Sequence, residues 1–406
     1  MGFFRREQLK TSVKESSKQS GCGACGLWKT CKSPRMAIHG EGKQGVLAIA
    51  GAPGETNDQN NKHLSGTVGR FFRECLKDET GLDSNRDIWK TNSVICHPPK
   101  SRDATDKEIN YCRPNLLKAL EEKQPKIILL LGVAALKSFL GHRWKGRLDG
   151  IKKWRGYVIP DRDFNAWVIP VFHPAYVLRA EKQPVIEKIF REDLRLVKEM
   201  LNQPLPNFPD EDEQVYILKT KEQVSAYLAD VIHYEPKALA FDYETTGKRP
   251  YAPGHKIACV SMCWQEDRSV VWEWPLTNIP LYRKVMENEK IGKVAANMKM
   301  EDMWTEARGR CKVKGWLWDT MQAAHVLDNR RGITGLKFQV YRRYGVVDYD
   351  SSISSFLEGV NPKEAGANAL NRVFEAPRKE LLQYCGKDSL FELRLAIDQM
   401  KEMGVL

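Results

Sequence analysis

The stretch Phe241-Asp-Tyr-Glu-Thr-Thr-Gly247 closes a short apolar run and is the most informative segment of the chain. The run predicts a β-strand over Ala238–Tyr243. Alternate side chains of a strand share a face, so Asp242 and Glu244 are expected to point the same way. Paired carboxylates are the oxygen ligands that hard divalent cations prefer, although such a pair also occurs on solvated strand faces. The stretch therefore predicts a strand whose end carries a candidate cation site.

Two later segments add acids to this candidate site. Lys293-Val-Ala-Ala-Asn-Met-Lys-Met-Glu-Asp-Met-Trp304 predicts a strand that leads into a helix with adjacent acids, Glu301 and Asp302. Tyr384-Cys-Gly-Lys-Asp388 places a phenol and a carboxylate at positions i and i+4, which lie on one face of a helix. That helix is expected over Arg378–Met403.

Together these segments resemble the three motifs of the DnaQ-like, DEDD-type 3′–5′ exonucleases, in particular the proofreading domain of family A DNA polymerases. Motif I matches at Asp242 and Glu244, and motif III of the tyrosine subtype matches at Tyr384 and Asp388. Supporting matches are Trp318-Asp-Thr-Met-Gln-Ala-Ala-His-Val-Leu327 and Gly335-Leu-Lys337. The resemblance covers about residues 214–403 and implies a ribonuclease-H-like domain with a mixed sheet.

Motif II departs from the family pattern, which is Asn, three residues, then Asp. In that register the chain has Asn297 and Glu301, with Asp302 one position later. Glu301 is the first choice because it keeps the spacing and a longer carboxylate still reaches a metal ion. Asp302 remains the alternative.

The resemblance implies a metal-dependent phosphodiester hydrolysis. Two Mg²⁺ or Mn²⁺ ions about 4 Å apart would activate a water and stabilise the leaving 3′ oxygen. The expected ligands are Asp242, Glu244, Glu301 and Asp388, and Tyr384 is expected to orient the attacking water.

The first half of the chain has a different pattern, in which apolar runs alternate with helical stretches. The runs are Val46–Ala50, Ile127–Leu131 and Trp167–Phe172, and the helical stretches are Gly69–Leu76, Asp106–Glu122 and Val133–Leu140. Strands that alternate with helices predict a parallel sheet covered by helices, with ligand groups at the carboxyl ends of the strands.

Six of the ten cysteines lie in this half, between Cys22 and Cys112. Two separated pairs, Cys22/Cys25 and Cys96/Cys112, suit either a zinc ion or an iron–sulfur cluster, and the spacing does not choose between them. Cys31 is a fifth candidate ligand. Cys75 lies in an apolar helical context and is expected in the core.

A set of ordered segments resembles the iron–sulfur uracil-DNA glycosylases of family 4 over about residues 18–200. The segments are Gly51–Gly54, Thr91–Asn92, Cys96–Pro99, Cys112–Leu116, Leu130–Ala135 and Phe172–Arg179. The resemblance implies an α/β/α fold and a [4Fe–4S] cluster on Cys22, Cys25, Cys96 and Cys112. It also implies that Asn92 pairs with the edge of a flipped uracil and that His173 stabilises the departing uracilate.

Two positions of the base pocket differ from the family. The acid associated with the hydrolytic water is replaced by Gly51, in Ala50-Gly-Ala-Pro-Gly54, and the aromatic that stacks on uracil is replaced by Leu64, in Asn61-Lys-His-Leu64. A missing general base typically costs about 10²–10⁴-fold in rate, and stacking is worth about 1–3 kcal/mol per base. We therefore expect glycosylase activity to be weak, altered or absent, with uracil sensing or DNA binding as the retained role.

The charge distribution separates the two halves. The chain carries a net charge of +12, with +13 on residues 1–200 and −1 on residues 201–406. A basic first half is expected to bind nucleic acid. The proline-rich, acidic stretch Asn202–Gln214 predicts an extended linker. The predicted domains are therefore residues 1–202 and 215–406, joined by a linker at 203–214.

These observations predict a 3′–5′ DNA exonuclease fused to a glycosylase-like iron–sulfur domain, acting on single strands or 3′ ends. No apolar run is long enough to span a membrane and Met1–Ser20 lacks a secretion signal, so we expect a cytoplasmic protein of a bacterial or phage-infected cell. Because no polymerase domain fits before Leu406, we expect either that a separate DNA polymerase is the partner or that the protein works alone. The alternatives are an active uracil-repair glycosylase with exonuclease trimming and a non-enzymatic replisome scaffold.

Overall fold

The computed structural model describes residues 22–180, 182–360, 363 and 366–406. We expect no secretion signal in the N-terminal stretch Met1–Ser20, and this stretch lies outside the described residues. The described chain divides into two compact units. One contains the chain as far as Phe208 together with Tyr341–Val347, and the other contains Pro209–Val340 and Asp348–Leu406.

The first unit is built on a five-stranded sheet. Its strands are β1 (Val46–Ala50), β2 (Ile88–Asn92), β3 (Ile127–Leu131), β4 (Ile159–Asp161) and β5 (Ala166–Val171), in the order β2-β1-β3-β5-β4. The first four strands in this order run parallel, and β4 pairs with β5 in the antiparallel direction at the edge. Strands β1 and β3 are buried along their whole length, as expected of a sheet that helices cover on both faces.

Helices connect these strands and supply much of the core. They are α1 (Glu55–Asn60), α2 (Gly66–Thr80), α3 (Asp106–Lys123), α4 (Val133–Leu140), α5 (Ile151–Trp154), α6 (Pro174–Arg179) and α7 (Pro184–Met200). Helix α3 begins with a capping box in which the Thr105 hydroxyl accepts from the backbone of Glu108 and the Glu108 carboxylate accepts from that of Thr105. The predicted alternation of strands and helices is confirmed.

Strand β2 was missed because Lys90 and Thr91 interrupt its apolar run. Both side chains are nevertheless buried, and the Lys90 ammonium donates a hydrogen bond to Asn85 Oδ1 at 2.8 Å. A buried polar group that keeps a partner is compatible with a buried strand, even at the edge of the sheet, and a hydropathy pattern does not reveal it.

The second unit has a mixed six-stranded sheet. Its strands are β6 (Val215–Ile217), β7 (Leu239–Thr245), β8 (Ile257–Gln265), β9 (Arg268–Glu273), β10 (Lys293–Ala295) and β11 (Trp316–Asp319), in the order β11-β10-β7-β8-β9-β6. Strands β7, β8 and β9 form an antiparallel meander, whereas β10 and β11 add in parallel beside β7. The mixed sheet confirms the predicted ribonuclease-H-like architecture, and β7 ends two residues later than predicted.

The helices of this unit place the remaining motifs around β7. They are α8 (Lys221–Tyr234), α9 (Ile279–Glu287), α10 (Met298–Trp304), α11 (Thr320–Leu327), α12 (Leu336–Tyr344, which ends in the first unit), α13 (Ser354–Leu357) and α14 (Arg378–Glu402). Helix α14 packs against β7, β8 and β9 and lies almost where Arg378–Met403 was predicted. Strand β10 leads through a short turn into α10, as predicted for motif II.

Candidate active sites

The acids of motif I meet Cys385, within the motif III segment of α14, where β7 and α14 pack together. One carboxylate oxygen from each of Asp242 and Glu244 and the Cys385 sulfur all lie within 4.8 Å of one another. The Cys385 thiol also approaches Asp242 Oδ2 at 4.0 Å. Asp242 is half-buried, whereas Glu244 and Asp388 are buried. The prediction that Asp242 and Glu244 share a face is confirmed.

The two acids of motif II have different environments. Glu301 is 5% exposed, and its Oε2 atom has no hydrogen-bond partner among the described residues. Asp302 is half-buried, and its Oδ1 atom accepts a hydrogen bond from the backbone of Val313 at 3.2 Å. Glu301 is therefore a buried acid with an unpartnered oxygen, whereas Asp302 is tied to the backbone of a neighbouring loop.

Burial opposes ionisation of the acids of the cluster. Burial raises the pKa of Glu301 to about 8 and that of Asp388 to about 6, and Asp388 contributes to the rise at Glu301. Burial, followed by the charges of Glu392 and Glu301, raises the pKa of Asp242 well above its ordinary value. Carboxylates that repel each other in a buried site are stabilised in their charged form by a cation. Their oxygen donors fit a hard divalent ion.

Two tyrosines lie beside Asp388, the acid of motif III. The Tyr384 and Tyr349 rings stack with centroids 5.5 Å apart, and the Tyr349 hydroxyl donates a hydrogen bond to Asp388 Oδ1 at 2.5 Å. The Lys337 ammonium lies 5.4 Å from the centroid of the Tyr384 ring and pairs with Asp350. Tyr384 is thus placed at the site as expected, whereas Tyr349 was missed.

Three residues of the site were not singled out from the sequence: Tyr349, Cys385 and Glu392. Cys385 and Glu392 lie on the same helix as Tyr384 and Asp388. Glu392 follows Asp388 by four residues, so helical spacing could have indicated it. Nothing in the local sequence around Tyr349 indicates that it reaches Asp388.

In the first unit, all four predicted base-pocket residues line one cavity of about 550 Å³. They are Gly51, Leu64, Asn92 and His173. Asn92 ends β2, and His173 follows β5. The carboxyl ends of neighbouring parallel strands therefore form this cavity, as the doubly wound fold predicts. Phe172 and Tyr176 also line it.

The amide of Asn92 is held by a neighbour that the sequence did not indicate. Asn92 is 3% exposed, and its Nδ2 atom lies 2.8 Å from His63 Nδ1. Burial, with a contribution from His39, lowers the pKa of His63 to about 4, so the imidazole is neutral near pH 7. A neutral His63 accepts from the Asn92 amide, which fixes the orientation of that side chain.

His173 is held in one tautomer. The backbone N–H of Ala175 donates to His173 Nδ1 at 3.1 Å. Burial, with a contribution from Arg179, lowers the pKa of His173 to about 4. A neutral imidazole whose Nδ1 atom accepts a hydrogen bond carries its proton on Nε2. His173 is therefore a hydrogen-bond donor at the wall of the cavity.

The four predicted ligand cysteines line a second, small pocket: Cys22, Cys25, Cys96 and Cys112. The backbone N–H groups of Arg35 and Ile95 donate to the sulfurs of Cys96 and Cys112 at 3.3 and 3.4 Å. Burial, with a smaller contribution from Cys31, raises the pKa of Cys96 to about 12. Cys75 is fully buried in the core, as predicted. In the described residues, no helix combines the length and apolar character of a membrane span.

Comparison with known proteins matches each half separately. Residues 39–195 match the family model of the uracil DNA glycosylase superfamily, and residues 214–403 match that of a 3′–5′ exonuclease. A type-4 uracil-DNA glycosylase of Saccharolobus solfataricus is 36% identical over 185 residues, which cover 45% of this chain and 82% of that protein. The RNase D structure of Trypanosoma brucei superposes with a TM-score of 0.35 at 14% identity, over 46% of this chain and 57% of that one.

One relative matches through both halves. A DNA polymerase of Bacillus phage SP01 is 24% identical over 360 residues, which cover 81% of this chain and 37% of that polymerase. Neither family match alone is that long, so the alignment includes residues of both. The chain carries a 3′–5′ exonuclease domain in its second half, and through its first half it belongs to the type-4 uracil-DNA glycosylase family.

Proposed function

We propose that the chain is a proofreading-type 3′–5′ DNA exonuclease that uses two Mg²⁺ or Mn²⁺ ions. The observation that carries the proposal is the cluster formed by Asp242, Glu244, Glu301 and Asp388, three of them buried, in which burial and like charges oppose ionisation. A cluster of this kind is costly unless cations neutralise it. This cost argues against a purely structural scaffold.

The residues of the chain have separate tasks in this proposal. Asp242, Glu244, Glu301 and Asp388 would hold the cations, and these would supply an activated water and stabilise the leaving 3′ oxygen. Tyr384 orients the attacking water through its hydroxyl. Tyr349 donates its hydrogen bond to Asp388 and so fixes the direction of that carboxylate.

The proposed substrate is the 3′ end of DNA, with the first half of the chain binding the strand. The positive charge of +13 on residues 1–200 supports phosphate binding there. The alignment with a phage DNA polymerase supports a role in replication with a DNA polymerase as partner, in the cytoplasm of a bacterial or phage-infected cell. We retain residues 1–202 and 215–406 as the functional domains.

Release of nucleotides from 3′-labelled DNA tests the exonuclease. Asp242→Asn and Asp388→Asn each remove a charged ligand while keeping the side-chain shape, and metal ions contribute several kcal/mol to such reactions. We expect a loss of about 10³-fold with a circular-dichroism spectrum like that of the wild type. Glu380→Gln, an exposed acid at the start of the same helix, is the matched control and should remain active. Full activity in EDTA would contradict the proposal.

We also propose that Cys22, Cys25, Cys96 and Cys112 hold a [4Fe–4S] cluster. Tetrahedral zinc with bonds of about 2.3 Å places its sulfurs about 3.8 Å apart. Among the described residues, no three of these sulfurs lie within 4.8 Å of one another, which favours a larger group. Protein purified without oxygen should absorb near ~400 nm, and Cys96→Ser should remove this absorption and destabilise the first half. A colourless protein with one equivalent of zinc would establish the alternative.

A second proposed activity is uracil recognition with weak or altered excision. The cavity keeps an oriented Asn92 and a donor at His173, which suits a uracil edge and a developing uracilate charge. Gly51 occupies the position of the family's acid, and Leu64 occupies the position of its stacking aromatic. Binding is thus better supported than cleavage.

A further inference from the structure

An open cleft of the second unit is lined by segments that adjoin the three exonuclease motifs. Its volume is about 390 Å³. The lining residues are Lys256, Ile257, Trp274, Pro275, Arg308 and Phe374. Lys256 lies in the loop after β7, Arg308 follows α10, and Phe374 precedes α14. None of the acids of the carboxylate cluster is among these lining residues, so the cleft is a feature that the cation site does not explain.

The register of the sheet places this cleft beside the end of the motif I strand. Ile257 pairs with Thr245, the last residue of β7. The N–H of Lys256 donates to Thr246 Oγ1 at 2.8 Å, and its carbonyl accepts from the N–H of Thr246 at 3.0 Å. Strands β7 and β9 run in the same direction, so Trp274, which follows β9, lies at the same edge of the sheet. The cleft and the motif I acids are therefore neighbours at one edge.

Two aromatic side chains line the cleft. Phe374 is 54% exposed although the preceding Val373 is fully buried, so an anchored turn presents the phenyl ring to solvent. Trp274 is half-buried, and its ring contacts those of Tyr243 and Tyr282 edge-on, with centroids 5.9 and 5.4 Å apart. These contacts fix the indole in place. A fixed indole and an exposed phenyl ring in an open cleft suit a flat ligand that stacks on aromatic rings.

Positive charge borders the same cleft. The loop 246–256 carries three exposed cations and no acid, and these cations are Lys248, Arg249 and Lys256. Residues 201–406 together have a net charge of −1, so this loop differs from the unit around it. Arg308 Nη2 donates to the carbonyl oxygens of Pro250 and His255 at 3.0 and 2.5 Å, which ties the loop to the turn after α10. The loop is thus a fixed cationic border.

We propose that this cleft is a subsite for single-stranded DNA, in which an unpaired base stacks against Trp274 and Phe374 and Lys256 contacts a phosphate of the same DNA strand. An unpaired DNA strand fits because it combines flat apolar rings with a regular series of negative charges. Aromatic stacking tolerates any base, and cations attract the backbone. The inference goes beyond the proposed function, which assigns DNA binding to the first half of the chain.

Photochemical crosslinking of the full-length protein tests where the DNA strand lies. The probes are strands of about 12 thymidines that carry one 5-iodouracil, placed in turn at each position near the 3′ end. EDTA in the buffer excludes metal-dependent cleavage. We expect at least one probe to crosslink to Trp274 or Phe374, as identified by mass spectrometry of the digested protein, and an excess of unmodified strand to suppress this product. Crosslinks confined to the first half of the chain would overturn the inference.

Substitutions separate the stacking contact from the phosphate contact, and the anisotropy of a 5′-fluorescein thymidine strand in EDTA measures both. Phe374→Ala should lower the affinity about tenfold, within the range expected for the loss of one stacked base. Lys256→Gln should reduce the slope of log affinity against log salt concentration by about 0.7, the contribution of one phosphate on a single strand.

Tyr234→Ala and Lys237→Gln are the matched controls. Tyr234 is 62% exposed and stacks on Trp264 near the other end of β8, and Lys237 is an exposed cation that precedes β7. Both substitutions should leave the affinity and its salt dependence unchanged.

The outcomes distinguish this inference from the proposed exonuclease. Binding and crosslinking in EDTA require neither cations nor cleavage, so a protein without nuclease activity still tests the cleft. An active nuclease in which Phe374→Ala binds the DNA strand with wild-type affinity would contradict the inference alone. If the circular-dichroism spectrum shows that Phe374→Ala does not fold, Phe374→Leu keeps the apolar bulk and removes the ring. This variant should also bind more weakly, and unchanged affinity would again contradict the inference.

Discussion

The carboxylate cluster of the second half and the base cavity of the first half differ in how many residues of their family motifs are present. Every acidic position of the exonuclease motifs is occupied, with glutamate in place of aspartate at Glu301, and Glu392 is an additional acid. The base cavity keeps Asn92 and His173 but has Gly51 and Leu64 at its other two positions. Membership of a family therefore does not establish an activity, since groups that bind and groups that react can be lost separately.

Burial acts on the two sites in opposite directions. It raises the pKa of the carboxyls, so a bound cation would favour their charged forms. It lowers the pKa of His173 to about 4, so this side chain is a neutral hydrogen-bond donor near pH 7. Under the proposed function, the first site needs metal ions to become fully charged, whereas the second already presents a neutral hydrogen-bond donor.

The largest expected effect is on nuclease activity, and it identifies which acid of motif II is the metal ligand. Glu301→Gln should lower nuclease activity by about 10³-fold because it removes a charged ligand, whereas Asp302→Asn should stay within about threefold because its oxygen still accepts from Val313. Single-turnover release from 3′-labelled DNA with Mg²⁺ measures both. The opposite pattern would assign the motif II ligand to Asp302.

The second prediction concerns a double substitution that restores the missing acid and the missing aromatic side chain of the base cavity. Gly51→Glu together with Leu64→Phe should raise uracil excision by about 10²-fold, within the range that a general base contributes. A Cβ atom at Gly51 would meet Ala134 Cβ at 3.6 Å, an ordinary contact, so the backbone admits a side chain. Cleavage of uracil-containing single strands after alkali measures the gain.

The single substitutions and the wild type control this experiment. Gly51→Glu alone should give most of the gain, and Leu64→Phe alone should mainly tighten binding through stacking. Strong excision by the unmodified chain, equal to that of the double variant, would show that neither departure limits the activity. The chain would then be a true repair glycosylase, and the contrast between the two sites would disappear.

The sequence predicted many of the strands and helices and indicated the candidate site residues, and it gave no signal where distant segments meet. Strand and helix patterns located β1, β3 and α14, and motif spacing located Asp242 and Asp388. It did not reveal that Tyr349 bonds Asp388 or that His63 holds Asn92, because these contacts join residues 39 and 29 positions apart. Glu392 is intermediate: its helical spacing was visible, but its unpartnered oxygen is a property of the packed structure.

The smallest expected effect concerns stability and pH. The raised pKa of Glu301, about 8 against an ordinary 4.5, means that the folded protein holds a proton that the unfolded chain has released. Its contribution to stability is therefore full below about pH 4.5 and is lost as the pH rises through about 8. His63 and His173, whose lowered pKa values are about 4, act below pH 6.5 and in the opposite direction.

Between about pH 6.5 and 8, the metal-free protein should accordingly melt at progressively lower temperature, by about 2–4 °C for each kcal/mol lost. Mg²⁺ favours the charged acids and should flatten this dependence. Glu301→Gln has no proton to lose at this position, so its melting temperature in EDTA should fall less than that of the wild type. The measurement follows the unfolding transition whose midpoint temperature rises with Mg²⁺, at several pH values, with and without EDTA. A wild-type melting temperature in EDTA that is constant or rises over this range would show that the acids ionise without cost, and the contrast with the base cavity would lose its electrostatic basis.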